Sequence, residues 1–398
     1  MLSDVYFPRV NGVSSSIRTY ARALVRMGHE VTLVAPDYPD RVAQAAHDRD
    51  GFEVIRLAAR TIFFDPEDRL IKGSALHAVI PALASAQWDV IYIHTPFRAH
   101  SLGVTLHRLT ARPLVETYHT YFEQYVAHYL PWAPASWLRA FARFASRRLC
   151  GNVDHLIVPS TQMVDVLTHY GVSTPSTVLP TGLDLAEFAG GSGVAFRTRH
   201  GIDSERPTLV TVSRLAVEKN IGFLLEVVRE LFNEFPTLLF IIAGEGPDAP
   251  RLRRLALTFD LNDNVTFFGN LDRRTALLDC YRAGDVFVFA SPTETQGLVL
   301  IEAMALGVPI VFTAVMGTAT VLRDARSARI AKDAVADFAA QVTALLRSPE
   351  LRAELAAAGP EDARAWSVDG LMQRAEALYL SLAAAAPAVA LRSSATTL

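Results

Sequence analysis

Residues 285–309 read DVFVFASPTETQGLVLIEAMALGVP. An apolar strand, DVFVFA, runs into a turn, and a helix opens near Gly297. This is one βα step of a parallel sheet, with Glu294 at the carboxyl end of the strand and Glu302 inside the first turns of the helix. Backbone N–H groups at Gly297, Leu298 and Val299 lie at a helix start, where they are unpaired and suit sugar hydroxyls or phosphate oxygens. Two carboxylates with seven residues between them do not share a proton as a dyad; they suit different parts of one long ligand. The blander reading makes Glu294 a capping acid and Glu302 a solvated helix residue, but Gly297, Gly307 and Pro309 around them favour function.

The same alternation extends along the chain. In the first half the short strand-like runs are His29–Ala35, Glu53–Leu57, Asp89–His94, Pro113–Thr117 and His155–Ser160; in the second they are Thr208–Ser213, Leu238–Ala243, Val265–Phe268, Val286–Ala290 and Val308–Phe312. Helical patterns separate them, so the fold class is α/β, with two doubly wound parallel sheets of Rossmann type. A chain of 398 residues, 51% hydrophobic and 20% charged, can build two such cores. The expected division is a domain over 1–180, a turn-rich linker over 181–202, a second domain over 203–360, a helix over 361–383 crossing back to the first, and a disordered tail over 384–398. Only Met1 and Leu2 precede the loop at Ser3-Asp4, so the first strand reads as truncated, or the start as assigned too late. No repeat period is visible.

Net charge is −3, which supplies no overall field for nucleic acid. Cys150 and Cys280 lie far apart, in helical segments, and support neither a disulfide framework nor a zinc site. The start, MLSDVYFPRVNG, has no signal-peptide pattern, and no apolar run is long enough to span a bilayer. A cytoplasmic protein is expected, with peripheral attachment to the inner face of the plasma membrane left open.

Several loops at strand ends carry chemistry-bearing residues. Ser213 and Arg214 follow the first strand of the second half, and Lys219 precedes the helix IGFLLEVVREL; a guanidinium and an ammonium there can meet a diphosphate beside a helix N-terminus, although lone basic residues in loops are usually solvated. Gly244 and Gly246, and later Phe268 and Gly269, follow two further strands, where glycine admits a nucleotide closely or simply forms a turn. Gly12, before a helix, reads equally as a phosphate approach or a plain turn. His119 follows the strand PLVET, and His94 ends an earlier one; lone histidines are more often structural. Asp48-Arg49-Asp50, the one D-x-D triplet, lies in a polar loop and reads as surface charge rather than a manganese site. From Trp132 to Leu149 the sequence is WAPASWLRAFARFASRRL, with Trp137, Phe141 and Phe144 on one helical stripe and Arg139, Arg143 and Arg147 on another. Either the aromatics pack on the core, which pattern alone favours, or the helix lies in an anionic membrane interface.

Glu294 and Glu302 resemble the E-x7-E element of the retaining GT-B glycosyltransferases of family four, and Arg214 with Lys219 is similar to that family's R-x4-K clamp. Landmarks recur in order over nearly the whole chain. The resemblance implies two Rossmann-like lobes facing a cleft, Glu294 on the donor hexose, Glu302 on the ribose, and Arg214 and Lys219 on a leaving diphosphate, so that no metal and no cofactor beyond the nucleotide sugar is required. It implies that the loops at Gly244, Gly246, Phe268 and Gly269 border base and phosphates, that Gly12 approaches the phosphates, and that His119 sits beside the transferred sugar, with His94 toward the acceptor. Two departures stand out: Gln296, where Phe is commoner, and Asn11-Gly12, where many relatives have two glycines. The stretch ETYHTYFEQYVAHYLPW resembles the branch that glucosylates diacylglycerol. The expectation is therefore a hexosyltransferase using UDP-glucose or similar, with a lipid or glycan acceptor and retention by front-face displacement. GDP-mannose with a phosphoinositide or glycan acceptor, a sugar-nucleotide epimerase and a degenerate binding scaffold are the rivals. A dinucleotide dehydrogenase is disfavoured, because no G-x-G-x-x-G follows an N-terminal strand.

Overall fold

A computed structural model describes residues 1–48, 50–62, 65–119, 134–294, 296–315 and 317–386, without the side chains at 47, 65–67, 135 and 139. The stretch quoted for its lipid-branch resemblance falls largely in 120–133, outside the described residues, as do Arg49, the side chain of Arg139 and most of the tail. The chain forms two compact units: Met1–Pro159 with Met163–Leu179 and the residues from Leu371 on, and Ser160–Gln162 with Pro180–Gly370. The turn-rich segment 181–202 thus clusters with the second unit; its helix Gly193–Arg199 packs on the helix Ala276–Ala283, anchored by Phe196, which is fully buried.

The second unit holds six parallel strands: β9 (Thr208–Val212), β10 (Leu239–Ala243), β11 (Val265–Gly269), β12 (Val286–Phe289), β13 (Ile310–Thr313) and β14 (Ala328–Ala331), in the order β11-β10-β9-β12-β13-β14. Alternate side chains enter different cores. Leu209, Phe240, Ile242, Val286, Val288 and Val311 pack on one face, and Val210, Leu239, Ile241, Phe287, Phe289 and Phe312 on the other. The central strands are covered on both sides, which is why β10 and β12 read as unbroken apolar runs. Each such side chain contributes roughly 1.5–3 kcal/mol through burial.

The first unit has the parallel pair β1 (Thr32–Pro36) and β2 (Glu53–Leu57), a small antiparallel pair β3 (Ala59–Ile62) and β4 (Asp65–Ile71), and the parallel strands β5 (Ile91–Ile93), β6 (Leu114–Thr117), β7 (His155–Val158) and β8 (Ser176–Val178). Leu2 joins the two parallel groups by single bridges to Val34 and Ile93. Ser3 N–H donates to the Val34 carbonyl and Val34 N–H to the Met1 carbonyl, so the short segment Met1–Ser3 takes the central position of this doubly wound sheet. Beside it, between β1 and β5, lies a cavity of about 540 Å3 lined in part by Val31, Trp88, Tyr92 and Tyr379. Among the described residues no helix is long and apolar enough to cross a membrane.

Candidate functional site

In the second unit strand order reverses between β9 and β12, and a ligand of an open α/β sheet meets the carboxyl ends of such strands. Two loops flank that point. After β9 come Ser213, Arg214 and a short 3-10 turn over Val217–Lys219, before the helix Ile221–Leu231; after β12 come Ala290–Gly297 and the helix Leu298–Ala305. Side-chain bonds tie the loops together. Ser291 Oγ donates to the Glu218 carbonyl at 3.0 Å, and Asn220 Nδ2 to the Ala290 carbonyl at 3.3 Å. Across them the Lys219 ammonium hydrogen-bonds Glu294 Oε2, each side chain being about one-fifth exposed. Partial shielding strengthens such a pair over a fully solvated one.

Backbone geometry shapes both loops. Gly244 has φ +126°, and a Cβ on it would lie 1.9 Å from the Ser213 carbonyl oxygen. Glycine is required there because the loop carrying Arg214 rests directly on its backbone. The strand ends after β10 and β11 also bond each other, Gly244 N–H donating to the Gly269 carbonyl at 2.7 Å. Gly246 packs likewise on Leu215. Phe268 turns its ring onto Phe196 and His200, at centroid distances of 5.0 and 4.7 Å. Gly297 caps the helix Leu298–Ala305 at φ +81° with no side chain to satisfy the first N–H groups, while the side chains of Leu298 and Val299 pack on the core.

Glu302 is 1% exposed, and both its oxygens are engaged: the Arg273 guanidinium bonds Oε1, and Tyr281 donates to Oε2 at 2.7 Å. Burial, and then the Glu302 charge, push the Tyr281 phenol well above its ordinary range, so it remains a donor. Gln296 is 5% exposed and pairs with one peptide group: Oε1 accepts the Thr181 N–H at 2.7 Å and Nε2 donates to the Thr181 carbonyl at 2.6 Å. Its side chain holds the loop entering the unit.

In the first unit the loops after Leu2, β5 and β6 are adjacent. His94 Nδ1 lies 3.4 Å from His119 Nε2, with the rings stacked at 21°. His94 is 1% exposed, so it meets His119 and Tyr92 rather than solvent. Burial lowers the His119 pKa to about 4 and, with His119 beside it, drives His94 well below the usual range; both rings are neutral near pH 7. Asp4, unnoticed in the sequence, accepts from Thr95 Oγ1 at 2.8 Å and from the Arg98 and Ala99 amides at 3.0 and 3.1 Å. It caps the helix Arg98–Thr110, whose Phe97 N-cap has no side-chain bond, and burial pushes its carboxyl up to about 6 despite those bonds. Gly12 opens the helix Gly12–Arg26 behind Asn11, whose side chain accepts from Ser14 N–H, and nothing lies within 4 Å of a Cβ placed on it.

The helix Ala135–Cys150 differs from the packing that pattern alone favoured. Leu138, Ala142, Ser146 and Cys150 form its buried stripe, while Trp137, Phe141 and Phe144 are 65%, 46% and 59% exposed. These four residues recur at i, i+4 spacing and so share one face, and the large rings lie off it. Arg143 donates to His169 Nε2 at 2.8 Å.

Comparison with known proteins places both halves. The family profile for glycosyl transferases group 1 matches residues 195–362, and that for glycosyltransferase family 4 matches residues 10–187. The chain is 31% identical over 318 residues to an alpha-monoglucosyldiacylglycerol synthase of Streptococcus pneumoniae (strain ATCC BAA-255 / R6), covering 78% of this chain and 70% of that protein. It is 27% identical over 315 residues to a GDP-mannose-dependent alpha-mannosyltransferase of Mycobacterium tuberculosis (strain CDC 1551 / Oshkosh), covering 78% and 77%. Among solved structures, a sucrose-phosphate synthase from Thermosynechococcus elongatus superposes with a TM-score of 0.77 at 21% identity, over 97% of this chain and 99% of that one. That likeness shows the GT-B fold.

Proposed function

Because the chain belongs to the group 1, family 4 glycosyltransferases, we propose that it transfers glucose or a related hexose from a UDP-sugar to a membrane lipid such as diacylglycerol, retaining the anomeric configuration. The observation that carries the reading is the Lys219–Glu294 pair at the switch point of the second sheet. A cation and an anion held there match a donor that is a diphosphate at one end and a polyol at the other. Lys219 and Arg214 are assigned to the diphosphate, whose negative charge grows as it leaves; two cations in the chain supply the stabilisation that a divalent metal gives elsewhere, so the reaction needs none. Glu294 accepts from hexose hydroxyls, and Glu302 from the ribose. The C1–O bond to the diphosphate breaks as the bond to the acceptor oxygen forms on the same face, and the departing phosphate oxygen takes the acceptor proton. The first unit is assigned the acceptor, with neutral His119 offering a ring N–H to a sugar hydroxyl.

A lipid acceptor is supported by the monoglucosyldiacylglycerol in the name of the streptococcal synthase and by the exposed rings of Trp137, Phe141 and Phe144, which suit the acyl boundary of a bilayer. Screening UDP-, GDP- and ADP-sugars against vesicles with and without diacylglycerol, read by mass spectrometry, tests it. Hexosyl-diacylglycerol from a UDP-sugar, α-linked by NMR from an α-donor, is the expected product. A mannolipid formed only from GDP-mannose, or an inverted anomer, overturns it.

A further inference from the structure

Glu302 presents a buried carboxylate whose surroundings are unusually specified. A desolvated carboxylate is unfavourable without a counter-charge, and its surviving lone pairs are useful only if the group is ionised and rotationally fixed. Arg273, from the loop after β11, supplies the charge at Oε1; Tyr281, from the helix Ala276–Ala283, fixes Oε2 at 2.7 Å. Arg273 is itself pinned, with its guanidinium carbon 5.2 Å from the ring centre of Phe188, a residue 1% exposed. Each carboxylate oxygen accepts two hydrogen bonds, so one acceptor position on each remains after these contacts. Two parallel acceptor sites on one rigid group match the two hydroxyls of a vicinal diol. Glu302 is 1% exposed and the Arg273 side chain 28%, so a ligand reaching the carboxylate passes along the guanidinium.

We propose that Arg273 and Tyr281 are positioning residues that hold Glu302 as a fixed acceptor for the 2′,3′-diol of the donor nucleotide, and thereby set the preference for ribo- over 2′-deoxyribonucleotides. The proposal rests on the donor reading given above. No step of the transfer runs through either side chain, so their loss acts on donor binding and leaves chemistry largely in place.

The test uses the full-length enzyme with UDP-glucose and 2′-deoxy-UDP-glucose, together with calorimetric titration of UDP and dUDP. Arg273→Gln and Tyr281→Phe are each expected to raise KM for UDP-glucose roughly tenfold with kcat within about twofold, and to compress the UDP/dUDP affinity ratio. Arg273→Lys restores part of the ratio, because it returns the charge but not the planar fork. The double variant falls short of the product of the singles, since both act through one carboxylate. Glu302→Gln separates the two levels of inference. If it collapses the ratio while the Arg273 and Tyr281 variants leave it unchanged, the positioning proposal fails and the donor reading stands. If Glu302→Gln leaves the ratio unchanged, the ribose assignment fails, and with it the proposal. Tighter UDP binding by Arg273→Gln identifies Arg273 as a competitor for the carboxylate and also overturns it. Should Arg273→Gln fail to fold, Tyr281→Phe, which removes one hydroxyl and keeps the ring, decides.

Discussion

Lys219 and Glu294 neutralise each other across two loops that both end at the sheet's switch point. If the ammonium stabilises a leaving diphosphate, Lys219→Ala lowers kcat by roughly 10²–10³, as removal of a directed charge or donor does in other transferase and hydrolase sites. Initial rates at saturating UDP-sugar measure it, and a wild-type rate sinks the assignment. His119 makes a prediction of another kind. Its pKa falls from 6.5 to about 4 on folding because the ring is buried. The unfolded chain therefore binds the proton more readily between those values, so this residue's contribution is complete above pH 6.5 and is lost as pH falls toward 4, by at most about 3 kcal/mol. His119→Asn should flatten the decline seen by denaturant titration at stepped pH; an unaltered slope would contradict it. Asp4 works in the opposite sense. Its carboxyl is raised to about 6, so it favours the folded state at low pH and loses that contribution as pH rises through 6.

Elements show which signals a sequence transmits. The runs that became β9, β10, β12 and β13 were legible because both faces of each strand are covered, so that even Thr208 and Thr211 of β9 lie buried among apolar neighbours. The edge strands β8 and β14 escaped notice: STV and ARIA are short and partly exposed, too brief to establish a period. Glu294 and Lys219 stood out through their places at strand ends together with their likeness to the family's motifs, and the structure brings them together. Arg273 and Tyr281 were not, because their meaning comes from contact with Glu302, 29 and 21 residues distant along the chain. The helix Ala135–Cys150 misled through size. Large aromatics suggested the core, yet the buried stripe runs through Leu138, Ala142 and Ser146 and leaves the rings outside. Replacing Trp137, Phe141 and Phe144 together by Ser should abolish sedimentation with anionic diacylglycerol-containing vesicles, while the thermal midpoint moves by only a few degrees, since exposed side chains contribute little to folding. Retained vesicle binding would remove the helix from any membrane role.

At the scale of the whole molecule, the two units share one strand order around their reversal points but build the central position differently. In the second unit β9 fills it with five residues paired to β10, and with β12 on its other side. In the first unit the short segment Met1–Ser3 fills it, with Leu2 bridged to Val34 and Ile93. Treatment with EDTA should leave the transfer rate unchanged if Arg214 and Lys219 are the only charges that the leaving group needs; a rate restored by magnesium or manganese would show otherwise.

That short seam has a kinetic consequence. The amide of Leu2 bonds the Tyr92 carbonyl and the amide of His94 the Leu2 carbonyl, at 2.8 and 2.9 Å, while on the other side Ser3 N–H donates to the Val34 carbonyl and Val34 N–H to the Met1 carbonyl, at 3.0 and 2.9 Å. Deuterium should therefore enter the amides of Leu2, Val34 and His94 earlier than those of Leu209–Thr211, because a ladder confined to Met1–Ser3 opens by local breathing whereas a longer one waits for cooperative unfolding.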